Sequence, residues 1–273
     1  MTKFLPFYPL PILIIERSNS EKYIVIADIH IGFEEELNIK GIFIESKKIV
    51  DELLNSLSSV IIKTQINNLI ILGDLKSSIK IITRSEWNDV PYFLNSLSRL
   101  CNVYLVPGNH DSYINHLVPN SINLMSIKGM ELDNVLLTHG HTTPIIGRRI
   151  DKIIIGHLHP ILIKEGNILN GQRVWIRIIL RKIETNKEKN GIENSQWFRK
   201  RERKMELIII PNFNNYINHY SNYNYEKVTR KGKTKVPLLT NLITKRDWEM
   251  DQVFIISLDG DIIGSENELK KIL

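Results

Sequence analysis

The chain has 273 residues, of which 42% are hydrophobic and 24% charged, with a net charge of +6. That length is one large domain or two small ones, and the balance excludes collagen-like, wholly disordered and coiled-coil architectures. Cys101 is the single cysteine, which excludes an internal disulfide framework and a thiolate zinc site.

In chain order, the first apolar stretch is 4–15. It is shorter than the roughly 18–20 residues of a membrane span and is interrupted by Pro6, Pro9 and Pro11. No small-residue cleavage site follows it, so no signal peptide is expected and a cytoplasmic location is. The runs at 12–15, 23–27, 69–72, 103–106, 135–137 and 152–155 are short, rich in Ile and Val, and closed by Gly, Asp or Pro. That is the pattern of buried strands. Between them, 44–61 places Ile49, Val50, Leu53, Leu54, Leu57, Val60 and Ile61 at helical spacing, one apolar stripe facing a core. The segment 85–100 is similar, with Ser85 as its expected N-cap. Alternating strands and helices indicate an α/β layered fold.

Beyond about residue 150 the pattern turns to strands, at 174–179, 207–210 and 253–258, with Asp259-Gly260 as a hairpin turn. The polar, densely charged segment 185–205 is expected to be an exposed loop. It carries Arg199, Lys200, Arg201, Arg203 and Lys204 beside Trp197 and Phe198, a mixture that suits single-stranded nucleic acid. Tyr216, Tyr220, Tyr223 and Tyr225 follow, then a basic stretch at 226–235. We expect one domain over 1–273, with chemistry at 23–160 and a strand-rich extension at 171–273.

Five of the expected strands run out into polar clusters: Asp28-Ile29-His30, Gly73-Asp74, Gly108-Asn109-His110-Asp111, His139-Gly140-His141 and Gly156-His157-Leu158-His159. Residues i and i+2 of an extended strand share a side, and ligands of open α/β sheets bind beyond the carboxyl ends of the strands. Five such ends can therefore converge. A lone Asp-x-His or Gly-Asp means little, and the chain carries a second Gly-Asp at Gly260-Asp261. Gly-Asn-His-Asp is more telling, because a turn needs Gly and Asn but has no use for His. Carboxylate, imidazole and amide donors without thiolate suit Mn²⁺, Fe or Zn²⁺. The donors exceed the needs of one ion and suit two, about 3.5–4 Å apart and bridged by a carboxylate.

In these five boxes the sequence resembles the calcineurin-like metallophosphoesterase superfamily. Within it, residues 27–34, 73–76, 138–141 and 156–160 are similar to SbcD-related archaeal phosphoesterases and DNA-ligase-associated phosphoesterases, and 207–213 to a late strand-and-turn segment of that subgroup. The resemblance implies a four-layer αββα sandwich of two mixed sheets. It implies one divalent metal ion held by Asp28, His30, Asp74 and His159 and a second by Asp74, Asn109, His139 and His157, with Mn²⁺ foremost and Fe, Zn²⁺ or Ni²⁺ as substitutes. His110 would stabilise the phosphoryl oxygens or protonate the leaving group, and Asp111 would orient its imidazole. Lys76, Arg148 and Arg149 are expected substrate contacts, and two readings stay open for His141: it lines the site with them, or it merely accompanies His139. In one departure, Ser77 stands where the subgroup commonly has His.

The expected activity is hydrolysis of phosphodiesters by metal-activated water, with nucleic acid as substrate. The excess of cations suits such a polyanion. Two alternatives stay open: a phosphatase or diesterase for a small metabolite, and a non-catalytic scaffold, against which the full ligand set argues. A protein partner or a homodimer is compatible with the sequence; a membrane partner is not expected.

Overall fold

Strands that are apolar at every position need cover on both faces, and the two sheets of this fold supply it. The computed structural model describes residues 2–39, 41–163, 166, 168–187, 198–217 and 248–265. The first sheet takes its strands in chain order: β1 (Lys3–Pro6), β2 (Leu13–Glu16), β3 (Lys22–Ala27), β4 (Asn68–Leu72), β5 (Asn102–Val106) and β6 (Asn123–Leu124). Pairing is antiparallel from β1 to β3 and parallel from β3 to β6. The helices α1 (Glu34–Ile39), α2 (Ser46–Thr64) and α3 (Arg84–Ser98) lie in the crossovers between parallel strands. The seven apolar residues expected on one stripe of α2 are its buried residues, each contributing about 1.5–3 kcal/mol through burial.

The second sheet contains β7 (Met130–Leu132), β8 (Val135–Leu137), β9 (Lys152–Ile155), β10 (Val174–Lys187), β11 (Phe198–Ile209), β12 (Glu249–Ser257) and β13 (Ile262–Gly264), in the spatial order β13-β12-β10-β11-β9-β8-β7. It is also mixed, with β8 and β11 parallel to β9 and the remaining pairs antiparallel. The sheets meet face to face through Val25, Ile70, Leu72 and Val106 on one side and Val135, Leu137, Ile154, Trp175 and Ile208 on the other. On the outer face of the first sheet, Ile24, Ile26, Ile71 and Leu105 pack under Leu57 of α2 and Phe93 and Leu97 of α3. On the outer face of the second, Ile153, Ile155, Ile176, Leu207 and Ile209 are covered by Ile150, Leu158, Leu162 and Trp248. The expected two mixed sheets are present. Over the second sheet the described cover consists of loop side chains, because the described parts of 138–151 and 156–173 contain no helix.

Two expectations change. Within 185–205, the described residues are strand rather than loop: β10 and β11 form a long hairpin in register from Ile176↔Ile209 out to Lys187↔Phe198. Backbone ladders hold such a ribbon together without an apolar face, so charge in the sequence did not announce it. The N-cap of α3 is Thr83, two residues before Ser85. The Thr83 hydroxyl accepts Glu86 N–H and the Glu86 carboxylate accepts Thr83 N–H, a reciprocal capping box. The Asp259-Gly260 turn does join β12 to β13, with Gly260 N–H donating to Ser257 O. Trp197, Tyr220, Tyr223, Tyr225 and the stretch 226–235 lie outside the described residues.

Candidate metal centre

Five strands end at one place. Asp28 and His30 follow β3, Asp74 follows β4, and Asn109 and His110 follow β5. From the second sheet, His139 follows β8, and His157 and His159 follow β9. The backbone turns sharply to aim these side chains: Asp28, His30, Asp74, His157 and His159 all have positive φ, between 44° and 72°. Such conformations cost on the order of 1–3 kcal/mol each in a non-glycine residue, and persist where surrounding structure enforces them. Gly73 also has positive φ, and a Cβ there would overlap the His139 imidazole.

Two ligand groups result. Asp28, His30, Asp74 and His159 each place a donor atom within 4.8 Å of the others, and so do Asp74, His139 and His157. Asp74 is common to both. Asn109 joins the second, with Oδ1 3.1 Å from His139 Nε2. Asp28, Asp74 and His139 are buried, while Asn109, His110, His157 and His159 are half-buried, so the groups are reached by solvent only through the half-buried residues.

The donors fit metal ions on chemistry alone. His139 donates Nδ1–H to Leu72 O at 2.8 Å, which leaves Nε2 pointing at Asn109 Oδ1 and at Asp74 Oδ2, 3.2 Å away. Three acceptor atoms facing one another need a cation or a proton between them, and a backbone carbonyl behind the ring is how metal-binding histidines are commonly oriented. Burial alone would lower the His139 pKa, but the charge and hydrogen bond of Asp74, with Asp28 behind, outweigh it and raise it to about 9. Burial lowers His30 to about 3 and His157 to about 4, so both imidazoles present bare nitrogens at neutral pH. Asp74 and Asp28 are held below the usual carboxylate range: burial pushes each up, and the surrounding histidines more than reverse it. His30 Nε2 and His159 Nε2 lie 3.2 Å apart, and His159 Nε2 is 3.3 Å from Asp28 Oδ1.

The backbone reinforces the arrangement. His157 N–H donates to both Asp28 oxygens at 3.2 and 2.9 Å, and His110 N–H to Asp74 Oδ1 at 2.8 Å. The C-terminal part contributes too. Phe213 N–H donates to Ala27 O, and the buried Asn214 amide donates to Ile29 O, the carbonyl between Asp28 and His30. Arg173, whose pKa burial lowers to about 10, donates to the carbonyls of Asn212 and Phe213. Nothing in the composition of 207–214 announces this bracing role.

Of the other expected site residues, His110 stands beside the first group, its ring centroid 4.7 Å from that of His30. Asp111 does not orient that ring. It is buried, and its carboxylate accepts the N–H groups of Leu75, Lys76 and Gly108; burial and the neighbouring Asp74 raise its pKa to about 6. The His110 Nδ1 partner is instead the carbonyl of Ser77. Lys76 is not a substrate contact: it is fully buried, with Nζ on the carbonyls of Ser78 and Ile81. Arg148 and Arg149 are exposed where β9 begins, whereas His157 follows its other end, roughly 13 Å of strand away. His141 does reach the site, with its ring centroid 5.2 Å from His139 and 6.2 Å from His157. Its buried Nδ1 has no partner among the described residues, and burial, then His139, lowers its pKa to about 4.

No helix among the described residues is long and apolar enough to cross a membrane. No curated protein matches the chain. Among solved structures, it is similar to Pseudomonas putida nuclease MPE, with 16% identity over 79% of this chain and 88% of that one and a TM-score of 0.47. It is also similar to YfcE, a phosphoesterase from E. coli, with 14% identity over 90% of this chain and 98% of that one and a TM-score of 0.35. The model of the calcineurin-like phosphoesterase family matches residues 21–239. With the paired Asp/His groups in place, the chain belongs to the calcineurin-like phosphoesterases and is a metal-dependent member of that family.

Proposed function

We propose that the protein is a dinuclear phosphodiesterase acting on nucleic acid. The observation that carries the dinuclear part is Asp74, common to two groups of donors that each suffice for one ion. Two divalent ions, Mn²⁺ foremost, would be held by Asp28, His30, Asp74 and His159 and by Asp74, Asn109, His139 and His157. When bound they supply Lewis acidity and lower the pKa of water. The chain's own groups supply the rest. Asp74 sets the spacing, and His110, presented beside His30, meets the phosphate ester and hands a proton to the departing oxygen. His141, whose ring lies beside His139 and His157 of the second group, contacts a phosphoryl oxygen.

Nucleic acid as substrate rests on the net charge of +6 and on the basic β10–β11 ribbon. A second reading, a small phosphate ester, is favoured by one finding: Lys76, Arg148 and Arg149 do not meet the ligand groups. The deciding experiment strips the protein with chelator, reloads it with Mn²⁺, and follows bis(p-nitrophenyl) phosphate, the matching monoester and labelled single-stranded DNA. Metal-dependent turnover of the diester and of DNA is expected. Monoester turnover alone would replace the proposal with a metabolite phosphatase.

A further inference from the structure

The ring of His110 is held by a peptide group rather than by a side chain. The Ser77 carbonyl meets His110 Nδ1. The other end of that same peptide, Ser78 N–H, donates to Glu86 Oε1 at 2.6 Å. In a trans peptide the C=O and N–H point in opposite directions, so the three groups lie in line: carboxylate, peptide, imidazole. Glu86 is fully buried, and its oxygens also accept Ser77 N–H at 3.0 Å and Thr83 N–H at 2.9 Å. Lys76, buried behind the same turn, grips it from the carbonyl side. Space for Glu86 depends on Gly32, where a Cβ would stand 2.7 Å from Glu86 Cγ. A helix-capping glutamate needs none of this beyond its bond to Thr83.

We propose that Glu86 is the positioning residue for His110, acting through the Ser77–Ser78 peptide as the remote carboxylate of a three-part relay. An anion on the N–H end polarises the peptide and strengthens its carbonyl as an acceptor, as in any hydrogen-bond chain. The carbonyl then fixes His110 with its proton on Nδ1, leaving Nε2 for the substrate side. Glutamine at position 86 keeps the shape but removes the charge and turns an N–H₂ toward one of the backbone donors.

The inference rests on the phosphoesterase role of His110, and the test separates the two. In full-length Zn²⁺-loaded protein, the Nδ1 proton of His110 is observed by ¹H–¹⁵N NMR, without any turnover. It is expected downfield in the wild type and shifted upfield or lost in Glu86→Gln. In parallel, Mn²⁺-loaded Glu86→Gln should retain metal content and KM, and keep turnover of p-nitrophenyl esters within about threefold. It should lose about 10–100-fold in kcat on alkyl diesters, whose poor leaving group needs the proton. Thr83→Ala, which weakens the same helix terminus but leaves the Glu86 contacts, should show no such leaving-group selectivity. An unchanged His110 Nδ1 signal in folded Glu86→Gln, or equal losses on both ester types, would overturn the relay. An inactive wild type with the expected NMR change would overturn only the phosphoesterase role of the site.

Discussion

Removing the Asp74 carboxylate takes an anion from both ligand groups at once. Asp74→Ala is therefore expected to lose turnover to background and metal at both positions, measured by elemental analysis beside the diester assay. His110→Ala touches neither group and should retain its metal while kcat on alkyl diesters, whose leaving group needs the proton, falls by about 10²–10⁴. A metal-free His110→Ala protein would break that assignment. Cys101 offers a test unconnected with the site. Burial raises its thiol pKa to about 11 from the ordinary 9.0. A group whose folded pKa is raised contributes stability that is fully present below the unfolded value and lost as pH rises through the folded one, so this contribution fades between pH 9.0 and about 11. The native protein at about pH 8 should resist thiol reagents and react only on unfolding.

At the scale of elements, the α3 terminus carries both a cap and the turn beneath His110. Thr83→Ala removes one half of the capping box, and urea denaturation should show a loss of about 0.5–2 kcal/mol. What the sequence disclosed about such elements follows from burial. The runs ending at Ala27, Leu72, Val106, Leu137 and Ile155 are apolar but for at most their first residue, because both faces are covered there, so they stand out. β1, β6 and β13 are short and partly exposed, and leave almost no pattern. The outer half of the β10–β11 ribbon is held by its backbone ladder, to which side-chain composition is blind. The ligand residues were legible for a different reason: histidines at strand ends have no structural use. Lys76 and Asp111 misled for the converse reason. Charge in a motif suggests substrate, whereas here it ties buried backbone groups. Thr83-Arg84-Ser85-Glu86 did carry a capping-box signature, but nothing local shows that Glu86 also reaches Ser77 and Ser78.

For the whole molecule, the centre links two sheets, so metal binding and global stability are coupled. Mn²⁺ at a hundredfold excess over its Kd should raise the unfolding free energy by about 2.7 kcal/mol per site, an increment absent in Asp74→Ala. The effect has a definite pH sign. Burial would strip His139 of its proton, but Asp74 and Asp28 keep it protonated up to about 9, and an incoming cation must displace that proton. Metal affinity should therefore rise with pH, about tenfold per unit, and level off near 9. Isothermal titration in buffers of different ionisation enthalpy would detect the released proton; a pH-independent affinity would contradict the assignment of His139 as a ligand.

The seam position of the centre also imposes an order on maturation. Asp28, His30, Asp74 and Asn109 leave the ribosome first, on strands that can pair among themselves, but their partners His139, His157 and His159 come later in the chain. The supports at Asn214 and Phe213 arrive later still. A nascent chain thus has no closed cage to offer an ion until its second sheet has docked. Loading is then expected as a closing step of biogenesis: a chain truncated before residue 157 would lack His159 of the first group and His157 of the second.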